Sequence, residues 1–341
     1  MLTKPLLPRE SGRLIASKSQ DVTISEDGAT DVANMIFKSL KKNEYSVEAW
    51  KQHDLHPKLM TKETVDWIFV LDTLNFSFWS EANDKRFLVD YRGSLHSGYW
   101  ALCAAINRAL DENIPITSAS YYSRITVDQL RHIFRSATDT DIPLLDKRLE
   151  HLHEAGTVLL EKFEGSFVNC ISQCDRKASK LLHLITENFP SYRDVAMFEG
   201  AAVSLYKRAQ ILIADIWACF EGKSYGEFID IDVLTMFADY RVPQVLNYFE
   251  VIRYSPRLHE ILQSGRLFTP GERLEVEIRG CSIWAVELIR QELKSLMAED
   301  SSLSGLTLNS IIIDFYLWDY SKDHWRDMQH VPIHKIRSTF Y

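Results

Sequence analysis

Residues 200–220 read GAAVSLYKRAQILIADIWACF, and their spacing decides the fold class. Leu205, Ala209, Leu212 and Ile216 recur at intervals of three and four, the stripe of a long helix between about Gly200 and Phe220. Lys207, followed by Arg208, interrupts that apolar run. The same period returns along the chain. Val32, Met35, Ile36 and Leu40 form one stripe. Val65, Ile68, Phe69 and Asp72 form another behind Thr61, a residue suited to cap a helix. Ala178, Leu181, Leu182 and Ile185 form a third, closed by Pro190, and Ile283, Val286, Ile289 and Leu293 a fourth. Strand-like alternation is scarce and best at Val22–Ile24. The expected fold is mainly α with few short strands.

The 341 residues are 46% hydrophobic, enough for a sizeable core. No repeat, low-complexity run or Pro/Gly/Ser-rich linker marks a boundary. The expectation is therefore one helical domain over residues 13–341 behind a loose arm, residues 1–12, which carries Pro5, Pro8 and Gly12. Lys and Arg number 39 against 47 Asp and Glu, a formal charge of -8. That balance argues against gripping a nucleic-acid polymer, whose phosphates supply much of the affinity, and leaves room for a local pocket for one phosphate. Met1 to Arg13 has no apolar leader, and no stretch approaches about 18 apolar residues, so neither secretion nor a membrane span is expected. Cytoplasm is the expected location, with a nuclear pool left open. Five cysteines, odd in number and irregular in spacing, read as reduced thiols; Cys170 and Cys174 are half a metal site at most. Neither a metal nor a cofactor is expected. Glycine-rich nucleotide loops, His-Glu-x-x-His and Gly-x-Ser-x-Gly are all missing, which lowers hydride transfer, triphosphate hydrolysis, zinc proteolysis and α/β-hydrolase chemistry.

Three segments stand out. Leu74-Asn75-Phe76-Ser77-Phe78-Trp79 crowds aromatics at a helix end, either as a core plug or as a stacking wall for a flat ring. His53 lies upstream, weak as a metal ligand and suited to hydrogen bonding in a pocket. In Leu234 to Leu246 an apolar run meets Asp239, a helix starts around Tyr240, and Pro243 falls in its first turn. Asp239 would sit at or near the N-cap, and capping alone suffices to explain an aspartate there. In Ser310 to Tyr320, Ser310 can cap a helix, and Asp314 and Trp318 face one way. A carboxylate in so apolar a run is buried and needs a partner, whether a structural cation or a ligand. Lys207 reads either as a snorkelling surface lysine or as a cation for a phosphate.

Phe237-Ala238-Asp239-Tyr240-Arg241-Val242-Pro243, Asn75-Phe76-Ser77-Phe78-Trp79 and Ile313-Asp314-Phe315-Tyr316-Leu317-Trp318 together resemble the queuosine salvage protein family, from about Gly12 to the C-terminus. The resemblance implies a fold similar to helix-hairpin-helix DNA glycosylases, with a catalytic Asp at the start of the helix after the hairpin. Asp239 occupies that place. The glycine-rich hairpin that grips DNA has no counterpart between Phe220 and Asp239, in keeping with the negative charge. The implied substrate is queuosine 5′-monophosphate, and the implied products are queuine and ribose 5-phosphate, for reuse in tRNA modification. On that reading Asp239 stabilises the oxocarbenium-like centre or attacks it. Asp314 or His53 would hold the base, Phe76, Phe237 and Trp318 would stack on it, and Lys207 would take the phosphate. Asn75, Tyr240 and Asp319 complete the expected lining. Two rival classes are a non-catalytic queuine carrier and a DNA-repair glycosylase.

Overall fold

The computed structural model describes residues 4–42, 48–80, 85–300, 303 and 306–341. In chain order these form α1 (Pro8–Lys18), β1 (Val22–Ile24), α2 (Glu26–Lys41), α3 (Glu48–Gln52) and α4 (Lys62–Thr73). Next come β2 (Leu88–Tyr91), β3 (Ser94–Ser97), α5 (Tyr99–Asp111), α6 (Ala119–Tyr122), α7 (Val127–Ile133), α8 (Leu145–Lys162), α9 (Val168–Ser172) and α10 (Ala178–Asn188). A hairpin of β4 (Val195–Phe198) and β5 (Ala201–Ser204) leads to α11 (Lys207–Cys219). Then follow α12 (Arg241–Tyr248), β6 (Ile252–Tyr254), α13 (Pro256–Gln263), β7 (Leu267–Phe268), α14 (Arg273–Glu299), α15 (Ser310–Asp323) and β8 (Lys335–Ile336). The fold is mainly α. Among the described residues its strands make two-stranded pairs, β1 with β6, β2 with β3 and β4 with β5 antiparallel, and β7 with β8 parallel.

The chain divides into two compact units. One holds residues 1–47, 194–210 and 232–337, the other 48–193, 211–231 and 338–341. The chain passes between them five times, so no single linker exists for composition to mark.

The first unit is built on α14, against which α1 and α2 pack. The expected arm is helical from Pro8, and residues 1–3 of it lie outside the described residues. Pro8 starts α1 where its missing N–H costs nothing. Gly12 is no hinge. A Cβ there would meet Ile283 Cγ2 at 2.8 Å, and one on Gly280 of α14 would strike Ile15, so two glycines permit the close crossing of α1 and α14. A second difference concerns residues 200–220. Gly200 takes φ 78 at the β4–β5 turn and Ala201–Ser204 pairs with Val195–Phe198, so the helix starts only at Lys207. A short apolar run without polar alternation fits strand and helix alike.

In the second unit Phe69 of α4 stacks on Phe167 at 4.6 Å and meets Phe189 edge-on at 5.5 Å. Arg148 of α8, fully buried, donates to the carbonyls of Leu74, Phe76 and Pro143 and covers the Phe76 ring at 4.4 Å. It supplies the partners that the irregular backbone after α4 lacks. Thr61 stands at the N-cap of α4, but its hydroxyl makes no cap bond.

One buried ion cluster organises the first unit. Arg279 of α14 donates from both terminal nitrogens to Asp194 (3.0 and 2.6 Å), from Nη1 to Glu275 (3.0 Å) and from Nε to the Ala238 carbonyl (2.8 Å). All three charged groups are buried. Arg279→Met would leave two carboxylates buried without their cation. The expected loss is about 3–5 kcal/mol of unfolding free energy, read from the urea midpoint, whereas loss within error of zero would mean the cluster carries no stability.

Candidate active site

Residues 234–240 are buried throughout, yet form neither helix nor strand. Buried backbone must find hydrogen-bond partners, and here side chains supply them. Thr235 N donates to Gln210 Oε1 (2.8 Å), Phe237 N to Asp314 Oδ1 (2.8 Å), and Ala238 O accepts from Arg279. The segment is thus pinned at alternate points up to Asp239. There Oδ1 accepts from the backbone N–H groups of Arg241 (2.8 Å) and Val242 (2.9 Å), satisfying two donors at the start of α12. Asp239 stands one residue before the N-cap, Tyr240, and Pro243 is the third helical residue. Among the described residues, Asp239 Oδ2 accepts no hydrogen bond. One oxygen of this buried carboxylate fixes the helix and the other stays uncommitted.

The second wall is α15. Asp314, Trp318 and Lys322 repeat every four residues and form one stripe. The cap of this helix is Asn309, whose side chain accepts from Ile312 N at 3.1 Å, while Ser310 donates to Glu287 at 2.6 Å instead. Asp314 is buried. Burial first, then the neighbouring Asp239 carboxylate, holds its carboxyl well above the usual carboxylate range, against the Phe237 N–H bond and the attraction of Lys207. The shift favours its acid form beside a second carboxyl group, the arrangement in which two like groups divide acid and base work. Lys322 Nζ lies 4.4 Å from the centre of the Trp318 ring. Burial and the nearby Arg241 bring this ammonium down to about 7, against the pull of Asp239 and Asp319. Burial likewise raises the Tyr240 phenol, and the Arg241 guanidinium lies 5.2 Å from that ring. Lys207 opens α11 rather than interrupting it, with its N–H on Asp194 Oδ2 at 3.2 Å.

Residues 55–341 match the family model described as queuosine salvage protein. The chain belongs to the queuosine salvage protein family. It is 52% identical to a Bos taurus protein named queuosine 5′-phosphate N-glycosylase/hydrolase, over 98% of this chain and 99% of that one. Proteins of the same name are similar to it at 50% identity in Nematostella vectensis, over the full length of both, and at 38% in Sphaerobacter thermophilus, over 96% of each.

Of the residues expected at the site of this queuosine salvage family member, the first unit brings together Asp239, Tyr240, Phe237, Lys207, Asp314, Trp318 and Asp319. Phe237 contributes chiefly through its backbone. Its ring is 2% exposed and lies 6.1 Å from Phe315. His53, Asn75 and Phe76 belong to the second unit. The His53 ring stacks on Trp100 at 3.4 Å, and burial lowers its pKa. Asn75 donates to Asp72 Oδ1 at 3.1 Å, and Phe76 is fully buried under Arg148. The five cysteines are free and buried, and Cys174 Sγ points at the Cys170 carbonyl at 3.1 Å. Among the described residues no cluster of His, Cys, Asp or Glu could hold a metal ion, and no helix is long and apolar enough to cross a membrane. Lys322 and Arg241 were missed in the sequence. The signal for Lys322 was present, since it continues the Asp314–Trp318 stripe by one more turn.

Because Asp239 Oδ1 fastens the first turn of α12, replacing it should reveal a structural share. Asp239→Ala should cost about 0.5–2 kcal/mol of stability, whereas Asp239→Asn, which keeps a capping oxygen, should cost little. Equal melting of both variants with the parent would show that the cap contributes nothing.

Proposed function

We propose that this chain hydrolyses the N-glycosidic bond of queuosine 5′-monophosphate, releasing queuine and ribose 5-phosphate for reuse in tRNA modification. The observation that carries the reading is the pair Asp239 and Asp314: one carboxylate oxygen held open at a helix start, and beside it a buried carboxyl whose acid form is favoured. Membership of the family and the names of its relatives supply the substrate.

Breaking the bond between the anomeric carbon and the base nitrogen leaves positive charge on the sugar and negative charge on the base. Asp239 Oδ2 faces the first, either stabilising the oxocarbenium-like centre or bonding to it. Asp314 meets the second by giving its proton to the departing base. Water then adds its hydroxyl to the anomeric carbon, and its proton restores Asp314, so the step balances without an electron carrier. A fixed carboxylate gains little from a neutral sugar carbon and much from a cationic one, so the advantage falls in the transition state. Asp239 at the start of α12 corresponds to the carboxylate of the helix-hairpin-helix glycosylases that the family resembles. Trp318 and Tyr240 bound the sugar and base, with Asp319 alongside. A cytoplasmic nucleotide substrate, rather than an intact nucleic acid, fits the net charge of -8.

The test is to incubate the purified protein with the nucleotide and follow free queuine. Asp239→Asn should stay folded, bind queuine and lose at least about a hundredfold in kcat. A carrier would bind queuine and release none from the nucleotide. Near-normal turnover by Asp239→Asn would reduce Asp239 to a cap and move the search to Asp314 or Asp319.

The proton on Asp314 gives a second expectation. Its folded pKa is raised, so the acid form persists to higher pH than for a free carboxyl, and kcat should fall as pH rises through the folded value. Asp314→Asn keeps a side-chain oxygen for the Phe237 N–H but has no proton to give. It should lose most of the turnover together with the alkaline limb. An unchanged pH profile in this variant would exclude Asp314 as the acid.

A further inference from the structure

Glu287 lies in the middle of α14, 1% exposed, and its two oxygens reach different elements. Oε1 accepts from the Ser310 hydroxyl (2.6 Å), in the first turn of α15. Oε2 accepts from Arg9 Nε of α1 and from Arg290 Nη2, both at 2.8 Å. A carboxylate taken out of water needs such donors. Two of these donors also lead on to the candidate site.

Arg9 leads to the buried segment that ends at Asp239. Its Nη2 donates to the carbonyls of Asp232 (2.6 Å) and Leu234 (3.3 Å). Ser310 leads to the other carboxyl, since Asp314 stands one helical turn further along the same face of α15. Asp314 Oδ1 then accepts from Phe237 N at 2.8 Å. The path is closed: Glu287, Arg9, residues 234–237, Asp314, Ser310 and back to Glu287. A closed path of charge-assisted hydrogen bonds resists a change in the spacing of its members, as an open chain does not. The spacing it spans is that between Asp239 and Asp314.

We propose that Glu287 is a positioning residue for the reaction: acting through Arg9 and Ser310, it sets the distance between the carboxylate at the start of α12 and the carboxyl of α15. It touches no substrate. The inference rests on the nucleotide hydrolase reading and adds the support that keeps both carboxyls within reach of one glycosidic bond. Misplacing a reacting group by about 1 Å costs up to about a hundredfold in rate, so a link remote from the chemistry can govern it. The position of Arg9 calls for a guanidinium, whose fixed donor directions meet Glu287 on one side and two carbonyls on the other.

The test uses Ser310→Ala, Arg9→Met and the double variant. Asn309 still caps α15 in Ser310→Ala, so the helix start is kept. Glu287 itself stays, because removing it strands the Arg9 and Arg290 guanidinium groups and mixes function with folding. On queuosine 5′-monophosphate each single variant should lose about tenfold in kcat, with KM within about twofold of the parent. The double variant should lose little more than the larger single loss, because both changes open the same path. Hydrogen exchange at the Phe237 amide, whose partner is Asp314, should be about tenfold faster in both single variants. This measurement needs no turnover, so a parent that fails to cut the nucleotide sinks the hydrolase reading while exchange still decides the spacing role. Unaltered kcat, losses that multiply in the double variant, losses that fall in KM, or Phe237 exchange equal to the parent's in both single variants would each overturn the proposal.

Discussion

The buried guanidinium of Arg279 is the contact on which the site depends. It holds Asp194 with two parallel bonds and the Ala238 carbonyl with a third nitrogen. Asp194 in turn accepts the N–H of Lys207 on its side chain and those of Leu205 and Tyr206 on its carbonyl. One side chain therefore fixes where α11 begins and where the residue before Asp239 lies. A planar fork with a fixed donor pattern can do this; an ammonium cannot. Both ends of the pair are buried, so bulk salt screens it far less than it screens a surface pair.

On the proposed reading, Asp239 performs two tasks with two atoms. Its Oδ1 neutralises the donors at the start of α12, and this is also what orients Oδ2. Held by two backbone N–H groups, the carboxylate has no rotamer to search when charge develops near it, which is the meaning of electrostatic preorganisation. A helix start and a reaction centre are commonly separate problems. If the proposed chemistry holds, solving the first here solves most of the second, and an aspartate that caps a helix is no argument against a catalytic role.

This explains how much was legible in the sequence. The stripes of α2, α10 and the second half of α14 and the strand Val22–Ile24 follow from periodicity because each has one more deeply buried face. Asp239 and Pro243 were readable because capping and first-turn preferences are local. Gly12 misled because glycine serves loops and close helix crossings alike, and only the partner, Ile283, tells them apart. The β4–β5 hairpin hid inside an apolar run. The Asp194–Arg279 pair joins residues 85 apart, a separation over which spacing carries no information. Phe76, expected as a stacking wall, has a cation on its ring face because Arg148 had to satisfy the backbone around it. Lys322 and Arg241 were passed over because a charged residue on a helix is, by default, a solvated one.

The interleaving of the two units bears on how the protein is made. Residues 194–210 complete part of one unit before residues 211–231 return to the other, and residues 232–337 turn back again. A ribosome releases the chain in sequence order, so neither unit has all its parts until most of the chain has emerged. The last pieces of the second unit, residues 211–231 and 338–341, therefore join helices synthesised well before them. No single cut of the chain separates the two units.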